Sequence, residues 1–259
     1  MKRLIIVLTI AMALLVLSSC FPGSGPKVPK SLLIDDIHSN YTEEFEPSKR
    51  YETLIQEFRG KGYTVDLASV KGFSPENYGA VLVATPGDAF STGEIADLSA
   101  LLSRGGKIIV LGEWFEYYDN TILNTLLSAL GIDIQFNNNK ILDESNNYGF
   151  VEYWVTTSLF ESHRITSGLD EIALFGACSL SAGSSAETLS YAEGTAHPEG
   201  EDSVASFTLI AAANSASGRV IAIGDTNVFA NDTEDDFPGI DDYIDIMDNL
   251  KLLRNIIDW

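Results

Sequence analysis

The chain is poor in the residues that build metal centres and nucleic-acid surfaces. It has two cysteines and three histidines in 259 residues. So few thiols and imidazoles make an unconvincing zinc set, and no cofactor is implied. Basic residues number 16 against 37 acidic ones, a formal net charge of −21. A chain so charged repels phosphate backbones and anionic head groups, which excludes nucleic acid as a partner. The same charge attracts cations and basic partners. There is no glycine-rich phosphate loop and no internal repeat. The one long apolar run, residues 4–17, is shorter than the roughly 20 residues that a permanent membrane helix needs.

What is present begins with that run. Lys2 and Arg3 precede it and Leu17-Ser18-Ser19-Cys20 follow it. A positive head, a short apolar stretch and small residues describe a secretory signal. The last four residues resemble the lipobox of bacterial lipoproteins. That resemblance implies a leader of residues 1–19, cleavage before Cys20 and acylation of Cys20, with palmitate among the expected chains. It also implies anchoring to the cell membrane or outer membrane, facing away from the cytoplasm. Each buried CH₂ contributes about 0.8 kcal/mol, so two or three chains hold firmly. Acylated Cys20 leaves Cys178 without a partner, so an intramolecular disulfide is not expected. Residues 20–30, rich in Pro, Gly and Ser, read as a tether.

Residues 31–259 read as one α/β domain. Four short apolar runs, 31–35, 80–85, 107–112 and 219–225, suit buried parallel strands. Residues 63–68 alternate and form a fifth candidate. Helical stripes lie between them: Tyr51, Leu54, Ile55 and Phe58; then Ile95, Leu98, Leu101 and Leu102 behind a Ser91/Glu94 capping box; then Ile122, Leu123, Leu126, Leu127 and Leu130 behind Asn120 as a cap. A last helix is expected to carry Ile246, Met247, Leu250, Leu253 and Ile257. The alternation predicts a doubly wound, mostly parallel, flavodoxin-like sheet. Residues 132–217 instead read as a β-rich excursion, with candidate strands at 132–136, 150–156, 172–181, 188–192 and 204–213. The acidic stretch 231–245 reads as a solvated loop.

Several motifs in this order resemble one family. They are Asp35-Asp36-Ile37-His38-Ser39-Asn40 after the first strand, Pro86 with Phe90-Ser91-Thr92-Gly93-Glu94-Ile95, Gly105-Gly106-Lys107-Ile108-Ile109-Val110, residues 218–229 and the closing stretch 249–259. Together they resemble the class I glutamine amidotransferase-like domains of gliding-motility and intraflagellar-transport proteins and of related lipoproteins. The resemblance implies an amidotransferase-like fold. The family's enzymes set a nucleophilic cysteine on a sharp turn between strand and helix. The matching turn here reads Leu111-Gly112-Glu113-Trp114-Phe115, and a carboxylate cannot do thiol chemistry.

Ligands of such sheets bind beyond the carboxyl ends of the strands. The residues expected there are Asp35, Asp36, His38, Asn40, Thr85, Pro86, Glu113, Trp114, Asp225 and Asn227. Glu113 is expected near a helix start, where its charge is favoured. Cys178, His197 and Glu199 contain the residue types of a thiol triad, but their order and spacing are wrong for it. The expected function is a non-catalytic, lipid-anchored domain that binds an envelope protein or a small polar ligand. The alternatives are an envelope hydrolase using Asp35, Glu113 and Asp225, or a calcium-responsive scaffold using Asp232, Glu234, Asp235, Asp236, Asp241 and Asp242.

Overall fold

The computed structural model describes residues 28–40, 46–231 and 242–259. The expected leader, Cys20 and most of the acidic stretch lie outside those residues. The protein is a mixed α/β fold around one ten-stranded sheet. Its strands are β1 (Ser31–Ile34), β2 (Thr64–Leu67), β3 (Ala80–Ala84), β4 (Lys107–Leu111), β5 (Ile134–Phe136), β6 (Leu159–Phe160), β7 (Leu180–Ala182), β8 (Ala186–Tyr191), β9 (Thr208–Ser215) and β10 (Gly218–Ile223). The order is β2-β1-β3-β4-β10-β9-β7-β5, with β8 pairing both β9 and β6. The first five positions in this order, β2 to β10, pair in parallel. Every pairing from β9 outward is antiparallel.

The parallel half is apolar on both faces because it is covered on both. Helices α1 (Glu52–Gly60) and α4 (Asn249–Asp258) pack over Leu32, Ile34, Leu82, Ile109 and Leu111. Helices α2 (Thr92–Ser103) and α3 (Thr121–Ala129) pack over Leu33, Val81, Val83, Ile108 and Val110. Each such side chain, taken fully out of water, contributes about 1.5–3 kcal/mol. Ser91 and Glu94 do form the expected capping box at the start of α2.

The large central sheet is parallel from β2 to β10 and mixed as a whole, because β9 folds back on β10 and carries the β-rich excursion into the same sheet. Three expectations need correction. Residues 150–156 are mainly turn, with Phe150 at φ +63°, a conformation no strand uses. The run 172–181 is interrupted, since only Ile172–Ala173 and Leu180–Ala182 are strand and Gly176 between them has φ +87°. The last helix begins at Asn249, and Met247 at φ +52° stops the pattern from extending back to Ile246.

The register fixes what matters for function. Ile34 pairs with Leu82, Ala84 with Leu111, and Leu111 with Ile223. The residues that follow these strand ends, Asp35, Thr85, Glu113 and Asp225, therefore lie along one edge of the sheet.

Candidate functional site

Two clusters of buried polar groups occupy that edge. The first follows β1 and β3. Asp35 is fully buried, and its Oδ1 meets His38 Nδ1 at 2.7 Å. His38 Nε2 lies 3.3 Å from Glu94 Oε1, so one imidazole joins the end of β1 to the start of α2. Burial opposes charge on His38, but Asp35 and Glu94 outweigh it and its pKa is raised. Its ring packs at 4.1 Å from that of Phe90 and 5.0 Å from that of Phe73. Asn40 donates through Nδ2 to the Ala84 carbonyl at 2.7 Å. Pro86 offers its carbonyl to the Tyr118 hydroxyl at 2.7 Å. Thr85 holds φ +38°, an unusual value for a β-branched residue.

Asp36 does not join this cluster. Its two oxygens accept from the Ser69 backbone N–H at 2.7 Å and the Ser69 hydroxyl at 2.6 Å, on the exposed side of the turn. Ser69 lies in the first turn of the short helix Ala68–Lys71, so Asp36 takes up one of that turn's free N–H groups. Asp36→Ala is expected to cost about 1 kcal/mol, as cap removal does. Urea unfolding checks the value, and His38 should titrate unchanged in the variant.

The second cluster follows β4 and β10. Glu113 Oε2 accepts from the Thr226 hydroxyl at 2.5 Å and Oε1 from the Trp114 N–H at 3.0 Å. A Cβ on Gly176 would stand 3.4 Å from Oε1, so bare backbone closes that side. Asp225 accepts from the N–H of Phe175 at 2.8 Å and of Asn227 at 2.7 Å. Asn227 donates to the Phe175 carbonyl at 2.9 Å and accepts from the Arg50 guanidinium. The Tyr51 hydroxyl donates to the Thr226 carbonyl at 3.2 Å. Burial, reinforced by Asp225, raises the Glu113 pKa well above the usual range. Burial pushes Asp225 up to about 7, against its backbone N–H donors and Arg50. Both groups are therefore harder to ionise than carboxyls in water.

Glu113 is not at a helix start, contrary to expectation, because α3 begins only at Thr121. Nor does Asn120 cap α3 with its side chain. Its amide donates to the Glu113 carbonyl at 2.7 Å and its Oδ1 accepts from the Glu113 N–H at 3.3 Å, pinning the turn. Trp114 stacks on Tyr117 at 4.9 Å, and Lys140 Nζ lies 3.9 Å from the Trp114 ring centre. Cys178 is buried in reach of the charges of Glu113 and Asp225, and burial raises its pKa. No imidazole is paired with it. His197 faces Glu144 at 3.2 Å, and Glu199 pairs with Lys140 at 2.9 Å. Among the described residues no group of three or more histidine, cysteine or acidic side chains could hold a metal. Of the acidic-stretch residues considered for calcium only Asp242 is described, and it accepts from Asn231 at 2.6 Å.

Arg50, Tyr51 and Thr226 had no sequence signal as site residues. Glu94 had one, but it read only as half of a capping box.

A covered α/β sheet with its polar groups gathered at the carboxyl edge defines the class of protein. Residues 51–238 match the family model described as "Domain of unknown function (DUF4350)", and the chain belongs to that family. No curated protein matches it. Among solved structures it is similar to the mmIFT52 N-terminal domain, at 17% identity and TM-score 0.69, covering 88% of this chain and 96% of that one. It is also similar to the cytoplasmic protein STM1381 of Salmonella typhimurium LT2, at 14% identity and TM-score 0.54 over 88% and 98%. A third is the cytoplasmic protein STM3548 of Salmonella typhimurium, at 11% and 0.53 over 88% and 97%. At these identities the likeness is one of fold.

Proposed function

We propose that this chain is a lipid-anchored, extracytoplasmic binding domain of amidotransferase-like fold that performs no catalysis of its own. It holds an envelope protein or a small polar ligand at the carboxyl edge of its sheet. The strand order β2-β1-β3-β4-β10 with helices on both faces supports the doubly wound, flavodoxin-like description. The observation that carries the reading is the state of Glu113. It stands on the turn where the amidotransferase resemblance would set a nucleophile, it is enclosed, and each of its oxygens already accepts a hydrogen bond. The anchor in this reading is the lipidated Cys20 of the lipobox-like Leu17-Ser18-Ser19-Cys20.

A second reading, an envelope hydrolase, is favoured by one arrangement: Glu113 and Asp225 are both buried at the same strand-end edge and both have raised pKa values, as carboxyl groups at functional sites do.

One experiment separates the two. The full chain and its Cys20→Ser variant are expressed in a lipoprotein-processing host, labelled with an alkynyl fatty acid, cross-linked and fractionated. The wild-type chain is expected to take up label and sediment with membranes together with a cross-linked partner, while the variant does neither. Purified protein is expected to leave ester, amide and glycoside panels unhydrolysed. Turnover abolished by Glu113→Gln would replace the binding reading with the hydrolase, and an unlabelled wild-type chain would remove the anchor.

A further inference from the structure

The first cluster contains an imbalance that its own hydrogen bonds leave unresolved. Asp35 Oδ2 and Asn40 Oδ1 are buried acceptors with no donor. Asp35 is fully buried and Asn40 is 9% exposed. The amide of Asn40 cannot be turned over to correct this, since Nδ2 is needed by the Ala84 carbonyl. A buried acceptor without a donor costs about 1–3 kcal/mol, so two at the ends of adjacent strands require an explanation.

Their position narrows it. In the order β2-β1-β3-β4-β10 the chain direction of strand addition reverses between β1 and β3, the topological switch point where sheets of this kind bind ligands. Asp35 leaves β1 there, and Asn40 is fastened to the end of β3. Thr85, which follows β3, is held at φ +38°, and strained residues collect at binding sites. The turns on either side are clasped together: the N–H groups of Gly87 and Asp88 donate to the His38 carbonyl at 2.7 and 2.9 Å, and the Ser39 hydroxyl donates to Asp88.

The charge narrows it further. Asp35 and Glu94 flank a single imidazole, so the cluster keeps one negative charge even when His38 is protonated. Two acceptors beside a net negative charge match a cation that carries N–H donors.

We propose that the β1/β3 switch point is a binding site for a small primary ammonium group, which donates to Asp35 Oδ2 and Asn40 Oδ1 once the clasped turns part. This rests on the reading of the crevice as a binding site and supplies its ligand class.

The test uses the full chain, ¹⁵N-labelled, with methylammonium chloride as the probe. Tetramethylammonium chloride, which has no N–H, and calcium chloride serve as controls at matched ionic strength. Methylammonium is expected to raise the melting temperature and to move the Asn40 side-chain amide resonance saturably, while neither control does. Asp35→Asn keeps the shape but sets a second amide against the cation. It is expected to weaken the response about tenfold or more. If that variant does not fold, the wild-type titration decides alone. No saturable response, an equal response to tetramethylammonium or calcium, or full affinity in Asp35→Asn would each overturn the assignment. Capture of an envelope partner alongside a failed titration would sink the ammonium site and leave the binding domain standing.

Discussion

Gly224→Ala is expected to lower the unfolding midpoint more than any other single substitution at the strand-end edge. Gly224 follows β10 and exchanges backbone hydrogen bonds on both sides, donating to the Leu209 carbonyl at 3.1 Å and accepting from the Cys178 N–H at 2.8 Å. A Cβ there would overlap the Cys178 carbonyl oxygen and stand 3.1 Å from its carbon. The obstacle is backbone, so no rotamer change relieves it. Segment 177–179 must retreat, and the Phe175 N–H held by Asp225 is drawn with it. Overpacking of this kind costs about 3 kcal/mol or more. Urea unfolding measures it, with Gly194→Ala as the control because nothing lies within 4 Å of a Cβ there. Equal midpoints for the two variants would mean that Cys178 does not approach β10 this closely, and the carboxylate cluster built on that approach would fall with it.

The parts of the fold legible in the sequence are those with one dominant cause. Continuous apolar runs bounded by turns gave β1, β3, β4 and β10, since only strands covered on both faces are written that way. Ser91 with Glu94 gave the start of α2 because a capping box is local chemistry. The excursion was legible only as β-rich. Its breaks depend on single backbone angles, at Phe150 and Gly176, that side-chain pattern does not encode. Ile246 and Met247 continue the helical stripe in composition, but the chain turns at Met247 before α4 begins. At the site the order of strands sufficed to bring Asp35, Asn40, Glu113, Asp225 and Asn227 to one edge. It could not show Asp36 engaged with Ser69, which takes the identity of the neighbouring turn. Nor could it find Arg50 and Thr226, which reach Asn227 and Glu113 across 177 and 113 residues of chain. Asn120 was misread because an asparagine before a helical stripe is usually a cap, whereas here its amide is committed to the Glu113 backbone.

The second large expected effect is on the pH dependence of stability. Asp225 ionises near 3.8 in an unfolded chain and at about 7 in the folded one, and Glu113 is displaced in the same direction. Between those limits the native state binds more protons than the unfolded state, so stability falls as pH rises. This is opposite to the usual ion-paired carboxylate. The contribution is fully present below the unfolded values and lost as pH climbs through the folded ones. For Asp225 alone the loss across this window is on the order of 4 kcal/mol. While both groups remain protonated in the native state, each excess proton gives a slope of about 1.4 kcal/mol per pH unit, and the pair about twice that. His38, raised by Asp35 and Glu94 against its burial, adds a loss in the same sense above its unfolded value of 6.5. Lys107 acts later and oppositely. Its burial lowers it to about 7, so stability is regained between about 7 and 10.5. Glu113→Gln isolates the pair. The amide oxygen can still accept from the Trp114 N–H while the amide nitrogen donates to the Thr226 hydroxyl, so the geometry survives without the charge. Urea unfolding from pH 5 to 7 is expected to show the wild-type slope about halved in the variant, with the variant the more stable protein at pH 7. Asp225→Asn must fail where Glu113→Gln succeeds, because both Asp225 oxygens accept backbone N–H groups and an amide offers only one acceptor. An unchanged slope in Glu113→Gln would mean that Glu113 is ionised in the native state at neutral pH, and the closed, proton-holding pair would have to be abandoned for a solvated one.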